Sequence, residues 1–209
     1  HGLAIAMLSA LGASAQVHFV PFDAAGLWEA MNEATVFMAV PTMYAKLLAA
    51  FDSADSATRA RWTAHAAALR LATSGSAALP VSLAEKWKAI TSRIPLERFG
   101  MTEIGVGISN PLDGTRTPGA VGFPLKTVET KILDDEGHES ETGELWIRGP
   151  SVFSRYHERP TETANAFAKA EDGGANWFRT GDTVTRDTSI EGAPFRILGR
   201  TSVDILKSG

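Results

Sequence analysis

Apolar positions follow two different rhythms along this chain. Over the first hundred residues short continuous apolar runs alternate with helical stripes. Residues 2–15 read as a buried helix, and Val17-His18-Phe19-Val20 as a short buried strand ended by Pro21. Asp23 stands as an N-cap before Leu27, Trp28 and Met31, whose spacing gives one apolar face of a helix. Thr35–Val40 is a near-continuous apolar run, and Pro41 opens a helix through Tyr44, Leu47, Leu48 and Phe51. The alanine-rich segment from Asp52 to Ala68 is polar on one side and reads as a solvent-facing helix. Leu69–Thr73 is the next strand, followed by a helix around Leu83, Trp87 and Ile90 and by a further strand from Leu96 to Gly100. Strands apolar on both faces, alternating with helices, predict a parallel sheet covered by helices.

After Pro111 the pattern changes. Gly114, Pro118, Gly119, Gly122 and Pro124 cluster as loops, and short strands follow at Val128–Leu133, Glu144–Arg148, Trp177–Thr180 and Phe195–Leu198. Helical periodicity returns only near Thr161–Ala168. This predicts a small antiparallel sheet or barrel. The expected architecture is therefore α/β over residues 1–125, then a β-rich part over 126–199, with residues 200–209 beginning a further segment.

Composition removes several functions. The net charge of −4 comes without a basic block, which speaks against nucleic acid as a partner. There is no cysteine, so thiolate catalysis, disulfides and cysteine–zinc sites are excluded, while a cytoplasmic or mitochondrial compartment is left open. The five histidines show no metal-ligand spacing. The apolar start, Gly2–Leu8, is too short to span a bilayer.

Two stretches carry candidate chemistry. Ser74-Gly75-Ser76-Ala77-Ala78-Leu79-Pro80 is a loop of small side chains at the carboxyl end of a parallel strand, where open α/β sheets bind ligands. Arg98-Phe99-Gly100-Met101-Thr102-Glu103 combines a ring able to stack on a purine, a glycine permitting close approach, a hydroxyl suited to phosphate and a hard carboxylate suited to Mg²⁺.

With Gly143-Glu144-Leu145, Arg148-Gly149-Pro150, Trp177-Phe178-Arg179-Thr180-Gly181-Asp182 and Gly199-Arg200, these two stretches resemble, in order and spacing, the motifs of the acyl-adenylate-forming enzymes. Arg116–Gly122, Gly149–Phe153 and Gly199–Gly209 are similar in particular to the malonyl-CoA synthetases. The resemblance implies a two-step ligase using ATP, Mg²⁺ and coenzyme A on a small carboxylate, malonate or methylmalonate. It assigns Gly75, Ser76, Ala77, Phe99 and Gly100 to adenine, Thr102 to phosphate and Glu103 to Mg²⁺. It gives the ribose hydroxyls to Asp182 and a cationic clamp on ribose or phosphate to Arg200. His1, Arg70 and Met101 become candidates for the acid pocket, and Asp204 and Lys207 for a hinge. The family's phosphate loop and catalytic lysine have no counterpart in the 209 residues, so the resemblance implies an internal piece that does not adenylate by itself. A ligase for another short or medium acid, or a non-catalytic nucleotide-binding module, are the competing readings.

Overall fold

A carboxylate starts the first well-packed helix. The Asp23 Oδ2 atom accepts the Gly26 amide at 2.6 Å, satisfying one of the free donors at a helix start. The computed structural model describes residues 2–200, with side chains from residue 5; His1 and residues 201–209 lie outside it. Among the described residues no helix is long and apolar enough to cross a membrane. The chain divides into two units, residues up to Arg98 with Pro111–Gly119, and Phe99–Asn110 with residues from Ala120 onward. The second unit thus takes in residues ahead of Leu125.

In the first unit, wide helical turns over Gly2–Leu8 run into α1 (Ser9–Gly12). The expectation of a buried helix over 2–15 is not met: the helix stops at Gly12, and Leu8 and Leu11 are 52% and 53% exposed. The expected strand at Val17–Val20 does not form either. Phe19 is 79% exposed and the segment joins neither sheet, because an apolar run becomes a strand only where a neighbour takes its backbone hydrogen bonds.

From Asp23 onward the expected order of helices and strands holds. The elements are α2 (Ala24–Ala30), β1 (Val36–Ala39), α3 (Pro41–Ser53), α4 (Ser56–Ala68), β2 (Leu71–Ser74), α5 (Val81–Thr91) and β3 (Leu96–Met101). The strands β1, β2 and β3 lie parallel, with Val36 opposite Leu71 and Thr73 opposite Leu96. Helical stripes meet in a core of stacked rings. Trp28 stacks on Trp62 and Trp87 with centroids 5.7 and 5.4 Å apart, and Tyr44 meets Trp87 edge-on at 4.9 Å. Such pairs add roughly 0.5–1.5 kcal/mol each beyond area burial. The Trp28 indole N–H donates to the Leu47 carbonyl at 2.9 Å, so no donor is stranded there. The segment expected to face solvent, α4, contributes Trp62 and Ala66 to this core and leaves its other side polar.

The second unit contains β4 (Gly105–Ser109), β5 (Phe123–Pro124), β6 (Glu129–Leu133), β7 (Thr142–Arg148), α6 (Pro160–Ala166), β8 (Phe167–Ala168), β9 (Trp177–Arg186) and β10 (Phe195–Arg200). The last sheet runs β10-β9-β7-β6, all antiparallel, with β8 paired to β9. Alternation is plain along β9, where Phe178, Thr180, Asp182 and Val184 all point inward. Ile104, Ile108, Leu145, Ile147 and Val184 are fully buried beneath that face.

Candidate functional site

Glu103 lies in the turn Thr102–Ile104 between β3 and β4. The turn is tied down at several points. The Ile104 amide donates to the Met101 carbonyl at 3.2 Å, and the Ile104 side chain is fully buried. A Cβ on Gly100 would fall 2.1 Å from the Gly105 carbonyl oxygen, so the fold itself requires glycine there. Phe99 and Met101 are half-buried against the core of the second unit, and Thr102 is exposed.

A second segment grips Glu103. The Phe153 amide donates to the Glu103 carbonyl at 2.7 Å, and the Tyr156 phenol donates to Glu103 Oε1 at 3.0 Å. Tyr156 is fixed independently: its amide donates to Thr163 Oγ1 at 3.0 Å, and its ring packs on Phe153 with centroids 4.6 Å apart. Burial and then the Glu103 carboxylate push its hydroxyl above the ordinary phenol range, with the Arg200 charge acting the other way. The phenol therefore stays protonated, and a donor, at neutral pH.

Asp182 is 6% exposed. It sits opposite Arg200 in the β9–β10 ladder, with Arg200 Nε 3.5 Å from its Oδ1. Burial raises its carboxyl above the usual aspartate range, and Arg200 only partly offsets this. The backbone around it is set by three bonds. Thr180 Oγ1 donates to the Leu145 carbonyl at 2.7 Å, the Asp182 amide to Thr180 Oγ1 at 3.1 Å, and the Gly181 amide to Glu144 Oε1 at 3.2 Å. Gly181 has φ +69, a conformation that a side chain would strain. A buried carboxylate paired with a half-exposed guanidinium is an acceptor held ready for hydroxyl donors.

In the first unit, Gly75 is buried while Ser76 and Ala77 are exposed, and Ser76 itself takes φ +68. This loop leaves the carboxyl end of β2. Glu97, 3% exposed, accepts the Leu79 amide on Oε2 at 3.1 Å and the Gly119 amide on Oε1 at 2.8 Å. The Thr73 and Ser74 hydroxyls at the end of β2 are buried without a hydrogen-bond partner. Arg70 is exposed at the opposite, amino end of β2, with its amide donating to the Thr35 carbonyl at 2.9 Å. The structure thus assembles Phe99, Gly100, Met101, Thr102, Glu103, Asp182 and Arg200 in one unit, and Gly75, Ser76, Ala77 and Arg70 in the other. His1, Asp204 and Lys207 lie outside the described residues.

Sequence reasoning missed Tyr156 and Glu97. Tyr156 follows the quoted Gly149–Phe153 motif by three residues, and Glu97 immediately precedes Arg98, so both stood beside recognised motifs. The cavity of about 600 Å³ lined by Val152, Phe153, Phe167, Lys169 and Asn176 includes none of the expected site residues. Among the described residues no group of three or more His, Cys, Asp or Glu is arranged to hold a metal. A single hard carboxylate such as Glu103 fits a Mg²⁺ ion that arrives with nucleotide phosphates, since that ion takes one or two carboxylates and completes its shell from phosphate and water.

The family model for AMP-binding enzymes matches residues 1–157. The mitochondrial malonate–CoA ligase of Mus musculus is 42% identical, over all of this chain and 40% of its own length. The malonate–CoA ligase of Arabidopsis thaliana is 39% identical, over all of this chain and 35% of its own. The solved structure of a malonyl-CoA ligase ternary product complex, with methylmalonyl-CoA and AMP bound, superposes with a TM-score of 0.82 at 36% identity. That match covers 98% of this chain and 42% of the other. The chain spans about 40% of the length of such relatives.

Proposed function

The chain belongs to the AMP-binding enzyme family, and on that premise we propose that it is the nucleotide-site core of an ATP-dependent acid–thiol ligase, a malonyl-CoA synthetase. In the first half-reaction a carboxylate oxygen of the acid attacks the α-phosphorus of ATP and the bond to the β-phosphate breaks, giving an acyl-adenylate and pyrophosphate. In the second the sulfur of coenzyme A attacks the acyl carbon and AMP leaves, giving the thioester. Gly75, Ser76, Ala77, Phe99 and Gly100 take the adenine, Thr102 a phosphate, and Asp182 the ribose hydroxyls, with Arg200 supplying positive charge. Glu103 holds Mg²⁺, which when bound neutralises phosphate charge and draws electron density from the reacting phosphorus. His1 and Met101 are the candidates for the acid; Arg70, exposed at the amino end of β2 and so at the end away from the Gly75–Ala77 loop, is not carried forward with them. A second carboxylate on that acid needs a cationic partner, because an unpaired buried charge costs several kcal/mol.

The observation that carries this reading is the Glu103 carboxylate, held at one oxygen by Tyr156 in a fixed turn, in a chain that shares its fold with a ligase captured with AMP. The test is pyrophosphate release by the full-length protein with ATP, Mg²⁺ and coenzyme A against malonate, methylmalonate, acetate and octanoate. Malonate-dependent release that collapses in Glu103→Ala supports it. Release with octanoate alone keeps the ligase and removes malonate; absence of release with every acid turns the reading to a non-catalytic nucleotide module.

A further inference from the structure

We propose that Tyr156 is a positioning residue for Glu103, holding one carboxylate oxygen so that the other is presented to the Mg²⁺ of the bound nucleotide in a single orientation. The inference rests on the reading of Glu103 as the metal-holding group, and deepens it. Its ground is geometric. The phenol donates to Glu103 Oε1 at 3.0 Å across 53 residues of sequence, and the same segment holds the Glu103 carbonyl through the Phe153 amide at 2.7 Å. Glu103 is thereby gripped at main chain and side chain by one piece of backbone.

That piece is itself rigid for reasons unrelated to Glu103. Phe153 packs among Tyr156, Phe167 and Phe178 with centroids 4.6 to 5.4 Å apart. The Tyr156 amide is capped by Thr163 Oγ1, which in turn donates to the Arg159 carbonyl at 2.7 Å. The donor is therefore in place before any ligand arrives. A glutamate side chain has three rotatable bonds, and leaving it free would charge their ordering against metal affinity. A neutral hydroxyl is the apt restraint: it fixes one oxygen without cancelling the negative charge that attracts the cation, whereas a lysine or arginine there would compete with Mg²⁺. Partners that orient a metal ligand in this way change metal affinity by roughly 10- to 100-fold when removed.

The experiment is a Mg²⁺ titration of ATP binding by calorimetry in the full-length protein, run for wild type, Tyr156→Phe, Glu103→Gln and the double variant, with metal-free ATP binding in chelator as the baseline. Tyr156→Phe keeps the ring and its packing and removes only the hydroxyl. The proposal expects it to raise the Mg²⁺ concentration for half-maximal enhancement of ATP binding about tenfold, with metal-free ATP affinity and the KM for the acid within about twofold. In Glu103→Gln the requirement rises at least as far, and adding Tyr156→Phe changes it no further, since the phenol acts through the carboxylate. An unchanged Mg²⁺ requirement in Tyr156→Phe beside a raised one in Glu103→Gln overturns the positioning role alone. Equal weakening of ATP binding with and without Mg²⁺ in Tyr156→Phe also overturns it, showing a purely structural contact. An unmoved requirement in Glu103→Gln removes Glu103 as the metal holder and the inference with it.

Discussion

Glutamates stand at or just beyond the two ends of β3, and their surroundings differ in kind. Glu97 is 3% exposed and both its oxygens accept backbone amides, from Leu79 and from Gly119. Glu103 is half-buried in a turn, with a phenol on one oxygen. A main-chain donor on each oxygen makes Glu97 a clasp: it joins the end of the small-residue loop to the Pro111–Gly119 segment through bonds that exist without any ligand. Partial satisfaction makes Glu103 available, because a carboxylate offers about four acceptor positions and one neutral donor leaves capacity for a cation. Residue type alone does not separate a structural carboxylate from a functional one; the count and kind of its donors does.

Breaking the clasp carries the largest effect. Glu97→Ala strips two amides of their acceptor at roughly 1–3 kcal/mol each. A calorimetric melt is expected to fall by about 10 °C, while Glu97→Gln, which keeps one acceptor oxygen, recovers part of the loss. The same change at the other end of the strand acts on chemistry instead. Glu103→Gln is expected to leave the melt within about 2 °C and lower turnover on the order of 10²-fold. Equal loss of stability in the two variants would erase the distinction.

Asp182 sharpens the comparison through pH. Its folded carboxyl lies above the ordinary aspartate range because it is buried, so the folded state binds its proton more tightly than the unfolded state does. That contribution to stability is present below the unfolded value near 4 and is lost as pH rises through the folded value. Asp182→Asn is therefore expected to melt a few degrees higher than wild type at pH 7, with the gap closing as pH falls toward 4, while binding ATP about tenfold more weakly. Arg200→Gln is expected to lower the melt by a degree or two at pH 7, since it takes the offsetting charge from a buried carboxylate, and the loss shrinks as pH falls toward 4. It is expected to lower ATP affinity severalfold.

Much of this arrangement was legible in the sequence, for identifiable reasons. The strand and helix alternation from Asp23 to Gly100 was plain because each element buries a periodic apolar face, and the motif residues Glu103, Asp182 and Arg200 were named by their order. Residues 2–20 misled, because an apolar run records what a segment would bury against and not whether that surface is present. Strands β5 and β8 are two residues long, too short for any period to register. Tyr156 and Glu97 were hidden because their bonds span 53 residues in one case and 18 and 22 in the other, distances over which pattern carries no signal. Gly100 was seen as room for a ligand. The fold adds a prior demand, since its missing side chain admits the Gly105 carbonyl.

The most direct test of the account is a crystal structure of the full-length protein grown with ATP and Mn²⁺ in place of Mg²⁺, using anomalous scattering to find the metal. The account predicts a peak at bonding distance from the Glu103 carboxylate, with Tyr156 still on the other oxygen and the ribose hydroxyls on Asp182. A bound nucleotide whose metal lies away from Glu103, or whose ribose lies away from Asp182, would contradict it.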